Sequence, residues 1–257
     1  MKAKNIIFAA LFLVCSQFVL AQKQVLNVIY IGDSITQGVQ LDDPSTQAPP
    51  ATASKYLQAQ PGIAAVNFSN QGHSGFTSVD FSVTGETFKR AEQAADALKS
   101  KPGILAFSIM LGTNDSAITG PNGAPVSAEA YFANMKAITD RLLKDYPGCR
   151  IVIQHPTWYS TNTYNGAKYL AEGLHRLESY FPMIKKLIRG YTKTNPGQVF
   201  LGDMEAFGYF KKNHTTLMIP ENGHEGTFYL HPNKQGAVVL GQFWAKAIYR
   251  DVFHQSK

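Results

Sequence analysis

Residues 25–38, VLNVIYIGDSITQG, join an apolar run to a short polar turn. The apolar run over residues 25–31 predicts a strand that is buried on both faces, as in a parallel sheet. Gly32, Asp33 and Ser34 then end the run, and all three are ordinary turn residues. Two interpretations follow: a plain turn, or a nucleophilic serine held at the carboxyl edge of a sheet.

Strand and helix patterns alternate along the rest of the chain. Further strands are predicted at residues 64–68, 104–111, 150–154 and 198–201. Helices are predicted at residues 52–60, 88–98, 131–142 and 168–193, with an interruption near Pro182, and a last helix is predicted to open at Pro232. This alternation, with right-handed crossovers, predicts an α/β fold: a three-layer α/β/α sandwich with a central parallel sheet of about five strands.

Polar residues follow these strands at the edge where ligands bind in α/β sheets. Ser34 follows the first strand, Gly75 the second and Asn114 the third, and His231 comes just before the last helix. Acyl transfer requires a hydroxyl nucleophile, a base that takes its proton, and N–H donors for the oxyanion of the intermediate. The four residues supply these groups. The sequence therefore favours the interpretation of Ser34 as a nucleophile.

Four blocks of the sequence together resemble a known family. They are Gly32-Asp33-Ser34, residues 70–75 (NQGHSG), residues 112–115 (GTND) and His231-Pro232-Asn233, in that order along the chain. In these blocks the chain is similar to the SGNH (GDSL-type) hydrolases. The resemblance implies a flavodoxin-like fold, with Ser34 as nucleophile and His231 as general base. It also implies that Gly75 and Asn114 are the oxyanion-hole donors.

One position departs from the pattern of that family. The family usually has an aspartate three residues before the histidine, and here Phe228 stands at that position. Glu225, six residues before His231, is one candidate to orient the imidazole, and a backbone carbonyl that leaves a Ser–His dyad is another. The third alternative is a weakened or non-catalytic relative. The chemistry tolerates a substitute for the aspartate because that residue acts by orientation and electrostatics.

Residues 1–21 predict a cleaved signal peptide. Lys2 and Lys4 precede a short apolar stretch, and small or aliphatic residues come just before Gln22. We therefore expect an exported protein, periplasmic or secreted, with a single SGNH-hydrolase domain over residues 22–257 and no stable membrane insertion after cleavage. Cleavage lowers the formal charge from +6 to +4, with no run of five like charges, which argues against a nucleic-acid partner.

No cofactor and no metal are expected. Cys149 is the only cysteine in residues 22–257, which excludes an internal disulfide and a cysteine-based metal site there. His224 and Glu225 lack the second histidine of the His-Glu-x-x-His zinc motif.

The expected substrate is an acylated carbohydrate or another small ester. His155, Trp158 and Tyr159 follow the fourth predicted strand, and we expect them to bind the substrate. The leading hypothesis is an exported serine esterase that hydrolyses short acyl esters, above all acetyl esters, on carbohydrate. The alternatives are a lysophospholipase or thioesterase with an apolar acyl channel, and a non-catalytic carbohydrate-binding relative.

Overall fold

The computed structural model describes residues 23–253. Its central sheet has five parallel strands: β1 (Gln24–Gly32), β2 (Ile63–Gly72), β3 (Ile104–Met110), β4 (Arg150–Ile153) and β5 (Val199–Leu201). Their order in the sheet is β2-β1-β3-β4-β5. The strand order reverses between β1 and β3, as in flavodoxin-like folds, where ligands bind at this switch point. The predicted α/β fold with a parallel sheet is confirmed.

Helices cover both faces of the sheet. They are α1 (Ser34–Gln37), α2 (Pro44–Gln47), α3 (Pro49–Gln58), α4 (Glu86–Lys99), α5 (Ala128–Asp145), α6 (Leu170–Thr194), α7 (Ala206–Leu217) and α8 (Lys234–Ile248), followed by a π-helical turn at Tyr249–Phe253. The connection from β1 to β2 runs opposite to the later connections. Right-handed crossovers therefore place α3 on one face and α4, α5 and α6 on the other. Helix α8 packs beside α3, and α6 packs beside α5.

Strand β1 lies inside the sheet, between β2 and β3, as expected for a strand whose side chains are nearly all apolar. Leu26, Tyr30 and Ile31 are completely buried. Its one buried polar side chain, Asn27, accepts a hydrogen bond from Asn67 Nδ2 of β2 at 2.9 Å. Burial of these side chains on both faces fixes the register of β1 between β2 and β3, and with it the position of the turn that follows.

Several local features differ from the sequence predictions, among them helices α2 and α7, which were not predicted. Helix α6 continues through Pro182 without interruption. The last helix begins at Lys234 rather than at Pro232, because the side chain of Asn233 caps it by accepting the Gly236 N–H at 2.9 Å. Pro232 ends a strand instead: β6 (Met218–Gly223) and β7 (Gly226–Pro232) form an antiparallel hairpin that was not predicted.

The predicted signal peptide lies outside the described residues. Across residues 23–253, no helix combines the length and the apolar character that a membrane crossing would require.

Candidate active site

Ser34 lies at the sharp turn from β1 into α1. The carboxylate of Asp33 caps this helix by accepting the Ile35 N–H at 3.0 Å. Gly32 permits the close approach of the turn, because a Cβ at that position would lie 2.0 Å from Thr36 Oγ1. The turn therefore presents the Ser34 hydroxyl at the carboxyl edge of the sheet, at the end of the strand that flanks the switch point.

His231 reaches Ser34 from the β6–β7 hairpin. Ser34 Oγ lies 3.0 Å from His231 Nε2, and each residue is only 7% exposed. The hairpin register shifts between Met218 and Pro220, so that Leu230 and His231 together face a single residue of β6. A β-bulge of this kind bends its strand and re-aims the side chains on it. Here the bulge contains His231, which lies within hydrogen-bond distance of Ser34.

Glu221 of β6 contacts the other nitrogen of the imidazole. Its Oε1 lies 2.9 Å from His231 Nδ1 and accepts a second hydrogen bond from the His231 backbone N–H at 3.2 Å. A carboxylate beside Nδ1 keeps the proton on that nitrogen and leaves Nε2 free to accept the Ser34 hydroxyl proton. Burial alone would raise the pKa of Glu221, but the hydrogen bonds from His231 and Gln40 hold that pKa below its usual value.

Glu225 does not reach the imidazole. It is exposed at the turn between β6 and β7, where its backbone carbonyl accepts a hydrogen bond from Asn162 Nδ2 at 3.1 Å. The structure corrects the expectation for Glu225, and also the backbone-carbonyl alternative, because the Glu221 carboxylate holds the position beside Nδ1. Glu221 lies ten residues before His231, so only the register of the unpredicted hairpin identifies it as the partner.

Asn114 and Gly75 line the same cleft as Ser34. Asn114 Oδ1 accepts a hydrogen bond from the Tyr169 hydroxyl at 2.6 Å, and its Nδ2 donates to the Phe76 carbonyl at 2.8 Å. Tyr169, which the sequence did not indicate, therefore fixes the orientation of the amide. The second N–H of Nδ2 is available to a substrate oxygen. Gly75 has a φ of +79°, and apart from the glycine and its two chain neighbours no atom of residues 23–253 lies within 4 Å of where its Cβ would be.

The cleft has a volume of about 490 Å³. Ser34 and His231 line it together with a set of small and polar residues, here called the polar wall: Asp80, Gly120, Pro121, Asn122, Asn165, Gly166 and Ala167. Phe76, Tyr169 and Leu230 line it as well. Asp80 Oδ1 accepts a hydrogen bond from Asn122 Nδ2 at 2.8 Å. The cleft that contains the serine thus also offers carboxylate and amide groups.

Asp115 fixes the loop between β2 and α4, which contributes residues to this cleft. Its buried carboxylate accepts hydrogen bonds from the backbone N–H of Ser78, at 3.0 Å, and from the Ser78 hydroxyl. Burial raises the pKa of Asp115 to about 6. Since Gly75 and Asp80 belong to the same loop, the Asp115–Ser78 contacts position two of the cleft residues.

The three residues expected to bind substrate lie away from the cleft. His155 is buried and its ring stacks on Phe181 with centroids 4.3 Å apart, and burial lowers the pKa of His155 to about 4. Trp158 is buried as well, and the Tyr159 hydroxyl hydrogen-bonds with Ser116 Oγ at 2.8 Å. The expectation is corrected: these rings pack in the core, because the chain turns inward directly after β4.

The sequence matches a family model over residues 30–239, and that model describes GDSL-like lipases and acylhydrolases. The chain belongs to the GDSL-like lipase/acylhydrolase family. This confirms the resemblance drawn from the four sequence blocks. Together with the Ser34–His231 hydrogen bond, it makes the protein a carboxylic ester hydrolase of the serine type.

Solved structures with related folds include three named hydrolases. An acetylxylan esterase from Geobacillus stearothermophilus is 21% identical, with a TM-score of 0.55, and the match covers 91% of this chain and 95% of the other. A carbohydrate acetylesterase from Sinorhizobium meliloti is 18% identical, with a TM-score of 0.57 and coverages of 87% and 98%. A lipase/acylhydrolase from Enterococcus faecalis is 15% identical, with a TM-score of 0.56 and coverages of 86% and 94%. No significant match was found among curated protein sequences. At these identities the likeness shows the fold alone.

Proposed function

We propose that this protein is an exported serine esterase that removes short acyl groups, above all acetyl groups, from carbohydrates. The observation that carries the proposal is the hydrogen-bonded series Ser34–His231–Glu221, whose serine and histidine line a cleft that also contains amide and carboxylate side chains. Residues 22–257 would act as a single catalytic domain after removal of the leader.

In the proposed mechanism His231 Nε2 takes the proton of Ser34 as Oγ attacks the ester carbonyl. The oxyanion of the tetrahedral intermediate accepts hydrogen bonds from the Gly75 N–H and the Asn114 amide. Each such donor contributes about 3 kcal/mol of transition-state stabilisation. The imidazolium, stabilised by Glu221, returns the proton to the leaving alcohol. Water then attacks the acyl-enzyme by the same steps, which releases the acid and restores the Ser34 hydroxyl.

The polar wall of the cleft supports a substrate with many hydroxyl groups. Asp80, Asn122 and Asn165 can accept or donate hydrogen bonds to sugar hydroxyls. A lysophospholipase or thioesterase would need an apolar acyl channel, and this wall mixes small residues with amides and a carboxylate. Two of the similar structures bear the names of acetylesterases of xylan or carbohydrate, which adds support from relatives of the same fold. The missing aspartate was the main argument that the protein is a non-catalytic relative. The Glu221 carboxylate beside His231 removes that argument.

Acyl-chain preference tests the short-acyl part of the proposal. With p-nitrophenyl acetate, butyrate and octanoate, we expect kcat/KM to fall by about tenfold or more from acetate to octanoate, a difference of about 1.4 kcal/mol. Ser34→Ala should abolish turnover of all three esters. A preference for octanoate would support the lipid-esterase alternative instead.

The carbohydrate part is tested with Asn165→Asp. Asn165 lines the cleft, and its Oδ1 accepts the Ala167 N–H at 2.9 Å, so an aspartate keeps that acceptor while it removes the amide donor. We expect KM for an acetylated oligosaccharide to rise about fivefold, near 1 kcal/mol, with p-nitrophenyl acetate unaffected within about twofold. Equal effects on both substrates would count against a sugar contact at this wall.

Export is tested on the protein secreted by its own host. The mass of the mature chain should correspond to a start at Gln22 or within a residue or two of it. A mature protein that keeps residues 1–21 would contradict the proposed leader.

A further inference from the structure

Gln40 lies behind the Glu221–His231 pair, on the loop that follows α1. Its Nε2 donates a hydrogen bond to Glu221 Oε2 at 2.7 Å. Since Oε1 of the same carboxylate faces His231, both oxygens of Glu221 are engaged. Gln40 Nε2 also lies 3.2 Å from His231 Nδ1. The side chain reaches in from the surface and contacts both members of the pair.

The carboxylate determines how the Gln40 amide is turned. If the amide oxygen faced Glu221 Oε2, two acceptors would meet without a proton between them, so the amide nitrogen faces the carboxylate. The protonated Nδ1 of His231 and this nitrogen are then both donors and cannot bond to each other. The Nδ1–H is left with the Glu221 carboxylate, and such a charge-assisted hydrogen bond is stronger than one between neutral groups.

The backbone at Gln40 adds a second observation. Its φ is +69°, in the left-handed region that favours glycine. A non-glycine residue is kept there when its surroundings over-determine its conformation, a feature that clusters at functional sites. The loop begins at Gly38, the C-cap of α1, and α1 begins with Ser34. Gln40 thus connects the segment that begins with Ser34 to the hairpin that contains Glu221 and His231.

We propose that Gln40 is a positioning residue that holds the Glu221 carboxylate against His231 in the geometry needed for catalysis. The proposal rests on the proposed roles of Ser34, His231 and Glu221, and it does not depend on a carbohydrate substrate. Two further titratable groups act on the pair: Asp33, whose charge interacts with His231, and Tyr169, whose hydroxyl interacts with Glu221. Both remain unchanged in the variants below, so differences between variants report on Gln40.

Two variants of Gln40 and one control variant distinguish an effect on the position of Glu221 from an effect on the stability of the fold. Gln40→Ala removes the donor to Glu221, and we expect kcat for p-nitrophenyl acetate to fall about tenfold with KM within about twofold. Asp42→Ala alters an exposed side chain of the same loop and should keep wild-type kinetics. Thermal unfolding of all three proteins shows whether a loss of kcat accompanies a loss of fold.

The pH dependence of kcat in Gln40→Glu distinguishes a positioning role from a purely structural one. When protonated, the introduced carboxyl can donate to Glu221 as the amide does. When ionised, it places two carboxylates at hydrogen-bond distance, and like charges so close cannot both ionise without displacing one another. We expect the ratio of variant to wild-type kcat to be near one at acidic pH and to fall by about tenfold between about pH 5 and 8.

The rate at which a fluorophosphonate labels Ser34 gives a second readout that needs no sugar. Labelling should slow in Gln40→Ala, and in Gln40→Glu only as the pH rises. A wild-type enzyme that labels normally but releases no acetate from carbohydrate would refute the proposed substrate and leave the role of Gln40 supported. Three results would each overturn the role of Gln40. They are a kcat of Gln40→Ala equal to that of the wild type, a ratio of Gln40→Glu to wild-type kcat that does not change with pH, and a wild-type protein that the fluorophosphonate does not label.

Discussion

Phe228 stands where the family usually has its aspartate, and its side chain is 1% exposed. The ring packs against the hairpin itself: a Cβ on Gly223 would lie 2.8 Å from it. A carboxylate at this position would therefore be buried in an apolar environment. Phe228 thus serves the packing of the hairpin, and the carboxylate beside His231 comes from Glu221 on the facing strand instead.

Phe228→Asp should consequently destabilise the protein without raising its activity. Loss of a buried aromatic side chain costs about 3–5 kcal/mol, and burial of an unpaired carboxyl adds to that cost. Urea unfolding measures the loss, and Phe228→Leu serves as the control with a smaller one. A stable Phe228→Asp enzyme with increased kcat would contradict the assignment of the acid to Glu221.

Tyr169 should affect turnover more than stability. Tyr169→Phe removes the hydrogen bond that fixes the Asn114 amide, so we expect kcat/KM to fall about five- to thirtyfold, near 1–2 kcal/mol. Tyr159→Phe is the matched control, because it also removes a buried hydroxyl contact, to Ser116, but away from the cleft. The comparison uses p-nitrophenyl acetate kinetics and thermal unfolding. Equal losses of kcat/KM in the two variants would refute the role of Tyr169.

At the scale of elements, local sequence patterns predicted the site residues that directly follow strands of the sheet. They missed the site residue whose position depends on how two strands of a hairpin pair. Ser34, Gly75 and Asn114 each follow a strand of the sheet, so the strand pattern was enough to bring them to one edge. Glu221 depends on an antiparallel hairpin with a bulge, and that register is a contact between strands which no single window shows. His155 was predicted at the correct edge, but whether its side chain faces the cleft or the core depends on the path of the chain after β4.

The stability of the protein should contain a pH-dependent contribution from Asp115, which fixes the loop between β2 and α4. Its pKa is raised to about 6 by burial, so the folded state binds the Asp115 proton more tightly than the unfolded chain does. The stability from Asp115 is then fully present below the unfolded pKa, near 4, and is lost as pH rises through about 6.

Asp115→Asn removes this titration. The unfolding free energy of the wild type, relative to that of Asp115→Asn, should fall by about 2–3 kcal/mol between about pH 4 and pH 7. Urea unfolding of both proteins across this range measures the difference. A difference that is constant with pH would show that the carboxyl does not titrate in this window.

At the scale of the whole molecule, the parallel sheet explains how residues 197 positions apart in the chain come within hydrogen-bond distance. The order of the strands creates a switch point beside β1, and the loops that follow β1, β2 and β3 converge there. The alternation of strands and helices was sufficient to predict this architecture. The hairpin is an addition at the same edge, and it brings both His231 and Glu221 to the serine.

The central claim is that Glu221 completes the series Ser34–His231–Glu221. The most direct measurement is kcat for p-nitrophenyl acetate in Glu221→Gln, with Glu225→Gln as the matched control on the same hairpin. Glu221→Gln should lower kcat by about 10²- to 10⁴-fold, because the imidazole loses the carboxylate that fixes its tautomer and stabilises its charge. Glu225→Gln should stay within about twofold of the wild type. A large loss in Glu225→Gln, or full activity in Glu221→Gln, would contradict the claim.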